Sequence, residues 1–403
     1  MTASSEPGGS MKVLIIGAGI GGLTAAIALR RAGIDAVVLE QAPELRAVGA
    51  GISLWPNAIK ALRRLGVGDS VEGVGAHVTD GDLWDWRGSL LHSSPADELE
   101  TRFGAPLIMV HRAALHRSLR SALDDGAVRL DSRCVAVAQD SDGVRVELAD
   151  GSTIQGHVAI GADGLHSMVR AMTIADGDPR HSGLSAWRAV VEVESPLAEQ
   201  LVVGESWGQG ALFGVQRLPD NRVYWYAAAR DGNGDSASRG TEKSELLGRF
   251  SQWHAPIPEL IEKTADQDIL CNDLYDRPVP HSLAFGRVAL LGDAAHPMLP
   301  HLGQGACQAI EDAEALADAL AATVGDPEDG LALYSDRRCP RASAAVTQSR
   351  RTSQVAHVQR PVAIALRNTL LKFTSSERTM SRLASIVGGE PHPGTRSLTR
   401  RSA

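Results

Sequence analysis

Little in this 403-residue chain points to thiol or metal chemistry. Its four cysteines, Cys134, Cys271, Cys307 and Cys339, lie far apart and form no CxxC or CxxH pair. They read as reduced thiols of a cytoplasmic protein, not as a disulfide framework. The 13 histidines contain no HExxH or His-x-His spacing, so no metal site is expected and any oxygen chemistry falls to an organic cofactor. No apolar run approaches the roughly 20 residues of a membrane span. Residues 1–10 lack the cationic and apolar regions of an export signal and read as a flexible leader. Positive charge is not in excess either: 40 Lys and Arg face 48 Asp and Glu, a net charge of −8. That balance argues against a nucleic-acid or anionic-membrane surface. What remains, 43% apolar and 22% charged residues, is a soluble globular protein with chain enough for one large core or two ordinary ones.

The N-terminal part alternates between strand and helix. Lys12–Ile16 has the apolar content of a strand, Gly22–Ala32 the 3.6-residue period of a helix, and Ala36–Leu39 that of a second strand. Pro56 and Asn57 open another helix that Gly66 stops. A short hairpin is expected over Asp82–Leu91, turning at Arg87-Gly88, and a helix over His111–Leu123. Residues 127–162 have strand character. From 183 to 230 the composition shifts from Ala and Leu to Trp, Tyr and Val, and Ser185–Val193, Ala211–Val215 and Arg222–Ala229 read as antiparallel strands. A loop over 231–240, a helix near Glu242–Phe250 and a strand at Val288–Leu291 follow. Helical spacing then runs from Gly305 to about Val346, and Pro361 opens an amphipathic helix, Val362–Phe373. The expected fold class is α/β: a Rossmann-like dinucleotide domain (11–80, 101–182 and 275–350) with an inserted antiparallel-sheet substrate domain (81–100 and 183–274). C-terminal helices (351–387) and a frayed tail (388–403) complete the chain.

Gly17-Ala-Gly-Ile-Gly-Gly22 satisfies GxGxxG between a strand and a helix. Gly17 permits the tight turn, Gly19 lets a pyrophosphate approach the backbone, and Gly22 allows close helix–strand packing. Glu40, ending the next strand, is placed to accept from ribose hydroxyls. This motif alone does not separate FAD from NAD. A second loop, Gly292-Asp-Ala-Ala-His-Pro297, follows the apolar Val288–Leu291 run. Asp293 past that strand end suits the ribityl hydroxyls of a flavin. Gly303, Gln304, Gly305 and Ala306 then begin a helix whose N-terminus could stabilise negative charge on a reduced flavin ring.

These motifs, with Gly161-Ala-Asp-Gly-Leu-His-Ser-Met-Val-Arg170 between them, resemble the single-component FAD-dependent aromatic hydroxylases of the p-hydroxybenzoate hydroxylase fold. The match covers roughly residues 11–350. Gly49–Asn57 and Leu299–Asp312 are similar to the branch acting on salicylate, 3-hydroxybenzoate, hydroxynicotinate and urate. The resemblance implies that Arg112 lies on the flavin side of the site and Val135 near the adenine. It also implies that Asp163 serves both flavin binding and docking of a transient NAD(P)H, for which no second GxGxxG exists. The implied activity is insertion of one atom of O2 into an aromatic small molecule through a flavin C4a-hydroperoxide. An epoxidase or natural-product tailoring enzyme with a larger unsaturated substrate is the alternative within the fold. A flavin-dependent reductase that never activates oxygen is the alternative of another class.

The substrate side is less defined. Tyr224 and Tyr226 share one face of their strand, and the family's substrate wall makes Tyr224 the first choice for a substrate contact; sheet packing is the competing role. Arg188 could pair with an anionic substrate, a cofactor phosphate or a surface carboxylate. His301 could relay a proton or support its loop, and His296 reads as a loop hydrogen-bonder. The urate branch carries an arginine on the strand corresponding to Ala211–Val215; none stands there, which disfavours urate. No nucleic acid and no membrane span are expected, and the chain reads as a monomer or homodimer.

Overall fold

The computed structural model describes residues 11–45, 49–79, 81–93, 96–194, 201, 203–230, 242–323 and 325–388. The expected leader, the 231–240 loop and the tail beyond Gly388 lie outside the described residues. Runs of Val, Ile, Leu and Ala form the centre, because such runs bury both faces of a parallel sheet. Lys12–Ile16, Asp35–Leu39, Val158–Gly161 and Val288–Leu290 lie in one six-stranded sheet. Its order is 284–285, 288–290, 158–161, 12–16, 35–39, 128–129. All neighbours are parallel except the 284–285/288–290 hairpin.

The helix Ile20–Arg31 packs against the helix Gly305–Ala322. Small residues set that approach: a Cβ on Gly21 would stand 2.7 Å from Leu291 Cδ2 and 3.2 Å from the Ala309 Cβ. Two three-stranded sheets flank this layer. One joins 51–54, 108–111 and 75–77; the other joins 134–139, 144–148 and 153–156.

The 83–92 hairpin and the 180–276 region build the second layer, a seven-stranded sheet ordered 270–276, 180–192, 222–230, 211–218, 204–207, 83–85, 90–92. One face presents Trp187, Phe213, Val215 and Trp225 to the helices Glu242–Phe250 and Ile257–Lys263, which contribute Leu246, Phe250, Leu260 and Ile261 to a closed core. Strand alternation therefore turns Arg188, Tyr224 and Tyr226 the other way. Gln216 and Glu205 share that second face through their registers with Tyr224 and Gly214.

Several expectations are revised. The helix after Gly305 is two helices, Gly305–Ala322 and Pro327–Ala356, because Asp326 caps a new start by accepting from the N–H groups of Glu328 and Asp329. Strands 204–207 and 270–276 and the helix Ile257–Lys263 were not anticipated. The expected divisions at 100/101, 182/183, 274/275 and 350/351 fall inside Ala96–Phe103, Arg180–Glu192, Leu270–Asp276 and Pro327–Ala356. Secondary structure runs unbroken through each of these positions. The Ala211–Leu218 strand extends past Val215 and includes an exposed Arg217, on the face of Phe213 and Val215. Among the described residues no helix is long and apolar enough to cross a membrane, and no group of His, Cys, Asp and Glu could hold a metal ion.

Candidate active site

The three sequence motifs meet because the strands before them are neighbours. Strands 12–16, 158–161 and 288–290 run parallel and side by side, so Gly17–Gly22, Ala162–Asp163 and Gly292–Asp293 emerge at one sheet edge. Open α/β sheets bind ligands at that edge. Gly17 has φ +106°, and a Cβ there would lie 2.9 Å from the Ala162 carbonyl carbon. A Cβ on Gly22 would strike the Gly17 carbonyl. Gly19 differs: nothing lies within 4 Å of the place its Cβ would take. The helix beginning at Ile20 has no side-chain cap and no acid in its first turn, leaving its N–H groups and partial positive charge to a phosphate.

Arg170, the last residue of the second motif, ties it to the third. Its buried guanidinium donates to the carbonyls of Ala294 (3.1 Å), Ala295 (2.7 Å) and Pro278 (3.1 Å) and pairs with Asp176 at 2.6 Å. The hydrogen bond from Arg170 holds the Asp176 carboxyl below the usual carboxylate range. Asp163 acts within its own loop, accepting from Ser167 Oγ (2.5 Å) and from the N–H groups of Met168 (2.8 Å) and Val169 (3.1 Å).

Asp293 is open to solvent on one side, and its Oδ1 stands 4.0 Å from where a Gly305 Cβ would project. Burial by the surrounding protein raises its carboxyl above the usual range, while His296 and Arg112 oppose the rise. An open face over a densely packed floor is the bottom of a cleft. Beneath it, His296 Nε2 meets Asp312 Oδ2 at 2.6 Å, and Asp312 also accepts from Gly292 N–H (3.0 Å) and Arg338 Nε (2.6 Å). Burial works against the Asp312 charge, but His296 and Arg338 reverse this and hold its carboxyl well below the usual range. His296 is thus a loop anchor, in keeping with its sequence reading.

A cavity of ≈ 510 Å³ opens beside the glycine turn, lined by Ala18, Gly19, Glu40, Ala42, Arg112 and His116 among others. Glu40 accepts from the N–H groups of Ala18 (2.7 Å) and Ala42 (2.9 Å), which shapes the turn, and its carboxylate still borders the cavity. His116, which the sequence reading passed over, stands 2.7 Å from the Ala18 carbonyl; its place one helical turn after Arg112 was the available signal. Val135 is exposed on the 134–139 strand and outside this lining.

At the far end, Gly303 adopts φ +60° against Ser53 and Trp55, and Gln304 precedes the helix Gly305–Ala322, which again has no side-chain cap and no acid in its first turn. Gln304 Oε1 accepts from Asn57 Nδ2 at 3.1 Å. Buried polar atoms without a partner gather here: Trp55 Nε1, Asn57 Oδ1, Gln304 Nε2 and both ring nitrogens of His301. Such atoms are normally satisfied, and together they leave hydrogen-bonding capacity that a polar ligand would take up. The free backbone at Gly19, the cavity at Glu40, the open Asp293 and this cluster fit one FAD from adenosine to ring.

Facing this end is the second face of the seven-stranded sheet. The Tyr224 ring occupies the space a Gly51 Cβ would need, and Tyr224 and Tyr226 are 5.5 Å apart. Tyr226 Oη donates to Glu205 at 3.2 Å, and Trp207 Nε1 donates to its other oxygen at 2.7 Å. Burial raises the Glu205 carboxyl. Arg188 lies opposite Tyr226 in register. His301 packs edge-on against His357 at 5.0 Å, and burial, with His357 second, pushes its ring down to about 3. Glu205 and Gln216, whose buried Oε1 has no partner, were not found from sequence because their strand or its full extent was not.

These features define a flavoprotein in which one dinucleotide is held by both ends of the chain. The family model described as "FAD binding domain" matches residues 10–349, and the chain belongs to that family. It is an FAD-dependent monooxygenase with the p-hydroxybenzoate hydroxylase fold. It is 41% identical to the aurachin C monooxygenase/isomerase of Stigmatella aurantiaca over 92% of this chain and 96% of that protein. It is 34% identical to the 3-amino-4-hydroxybenzoate 2-monooxygenase of Streptomyces cremeus over 94% and 96%. The solved structure of Klebsiella pneumoniae HpxO complexed with FAD and uric acid superposes with a TM-score of 0.87 at 30% identity, covering 94% of this chain and 97% of that one.

Proposed function

We propose that the protein uses NAD(P)H and O2 to place one oxygen atom on an anionic aromatic small molecule held between the Tyr224 face of the sheet and the His301–Gly305 segment. When bound, FAD supplies reduction by the nicotinamide and activation of dioxygen. The chain supplies binding, orientation and dryness. Arg188 is the observation that carries the reading: it is half-buried on the substrate face, and among the described residues no hydrogen bond or ion pair engages its guanidinium. A carboxylate or phenolate satisfies it at a distance from the reacting carbon. Burial pushes the Tyr224 phenol up to about 12, so near neutral pH it donates a hydrogen bond and does not act as the base. His301, held neutral, offers one acceptor and one donor nitrogen. Leu299, Trp207, Leu212 and Ala228 form an apolar cluster that excludes water where the loop meets the sheet. A cytoplasmic setting suits the four free cysteines, and the chain is taken as a monomer or homodimer.

The relatives' names point to aromatic substrates, aurachin C and 3-amino-4-hydroxybenzoate among them. The identity to the aurachin C enzyme favours a second reading, a natural-product tailoring oxygenase with a larger substrate. The test is O2 uptake and NAD(P)H oxidation by the holoenzyme across hydroxybenzoates, pyridines, polyketide-like phenols and their neutral amides. Stimulation by acids or phenols over neutral isosteres, with oxygenated product, is expected. Arg188→Met should raise KM for the anionic compound about 10- to 100-fold, the scale of one charged hydrogen-bonded pair, at unchanged flavin content. Turnover that persists without O2 would establish the reductase alternative instead.

A further inference from the structure

The outer side of the helix Pro361–Lys372 carries an apolar stripe that the rest of the chain leaves uncovered. Val362 is 82% exposed, Leu366 60%, Leu370 60% and Phe373 83%. Their spacing places them on one side of the helix. Leu90, on the strand beside this helix, is also exposed. The inner side is firmly seated. Arg367 is buried, donates to the Ala356 carbonyl at 2.8 Å and lies over the Trp207 ring at 5.3 Å, while Leu371 joins the Trp207–Leu299 cluster. The helix is thus fixed with its apolar residues turned outward, which folded monomers seldom tolerate over a contiguous area.

Charge identifies what covers it. Residues 341–403 carry eleven Arg and Lys against two acids, Glu377 and Glu390, a net +9 that leaves −17 on the rest of the chain. Arg360 and Lys372 are exposed at the two ends of this helix, Arg351 on the preceding helix and Arg378 and Arg382 on the following one, and Glu377 is paired with Arg102 at 3.1 Å. A twofold dimer through this stripe would set two basic segments against each other. An anionic lipid surface complements both the stripe and its charges. The net charge of −8 conceals this segregation.

We propose that Pro361–Phe373 docks the protein on an anionic bilayer, its apolar stripe at the headgroup–acyl boundary and Lys372 with the preceding Arg360 among the headgroups. Through Arg367 and Leu371 the docked helix backs directly onto Trp207 and the substrate face, so the substrate compartment would lie next to the lipid. The test mixes the full-length holoenzyme with vesicles of phosphatidylcholine alone, or with about one-third phosphatidylglycerol, followed by sedimentation. Sedimentation with the anionic vesicles only, weakening as salt rises, is expected. The variant Leu366→Ser/Leu370→Ser/Phe373→Ser, altered only at exposed positions outside the active site, should keep its flavin and its turnover and bind at least about tenfold more weakly. Failure to sediment with anionic vesicles, equal binding to neutral ones, or undiminished binding by the serine variant overturns the proposal. So does a stable dimer by light scattering that the serine variant converts to monomer, which would assign the stripe to a second copy.

Discussion

Asp293 places two opposed demands on one carboxylate. It must be ionised to accept from the hydroxyls of a ribityl chain, yet its packed surroundings disfavour the charge. Asp293→Ala should therefore weaken FAD binding by about 1–3 kcal/mol, roughly 5- to 150-fold in Kd, read by flavin fluorescence on titration. The pH dependence has a definite sign. The carboxyl's pKa is raised without ligand and the bound hydroxyls favour the ionised form, so affinity rises as pH climbs through that raised value and falls on acidification. Asp293→Asn should flatten the dependence; an equally steep profile in the variant would move the titration elsewhere. Tyr224→Phe should retain flavin but alter KM or the fraction of NAD(P)H consumed that yields product. Identical kinetics would leave Tyr224 a packing residue against Gly51. Gly17, Gly22, Asp293 and Gly303 could be read from the sequence because each occupies a backbone position few residues tolerate or a strand end. Glu205 and Gln216 could not, since a single polar residue in a strand does not say which way it faces.

The elements cohere through a cross-tie that no motif announces. Arg170 belongs to the quoted Gly161–Arg170 stretch, but it bonds backbone carbonyls of Ala294 and Ala295, and carbonyls leave no trace in residue type. Arg170→Met would leave those carbonyls without their buried donor and Asp176 with Arg277 alone, a loss of about 1–3 kcal/mol for each stranded group. Thermal unfolding should move down, with flavin released at the same transition; a variant that melts at the wild-type temperature with flavin bound would show that the tie is dispensable. Strand legibility followed burial. Lys12–Ile16 and Val288–Leu290 were readable because continuous apolar runs suit only a sheet covered on both faces. Gly204–Trp207 and Leu270–Asp276 mix polar and apolar residues without clean alternation, and their pairing partners are remote in sequence.

Across the whole molecule, the expected boundaries fall within continuous elements, and distant segments pack at the flavin site. The last helix, Ser376–Val387, illustrates this. Ile386 and Val387 pack with Trp55 and Leu302 at the ring end of the flavin site, and Arg341 donates to the Ser385 carbonyl at 2.8 Å. A chain ended after Phe373 should fold yet hold FAD less tightly and release more reduced oxygen without product, measured as hydrogen peroxide per NAD(P)H. Tight coupling in that truncation would restrict the helix to a surface role.

The central sheet receives Val288–Leu290 beside Val158–Gly161, roughly 270 residues after Lys12–Ile16 is made. At roughly 5–20 residues per second of synthesis, the glycine turn waits on the order of a quarter of a minute or more for its counterpart to leave the ribosome. During that interval the nascent chain exposes an unpaired parallel edge and the apolar floor meant for Gly305–Ala322. The flavin site is complete only once Gly305–Ala322 has been made, so until then the glycine turn has no opposing loop to close it.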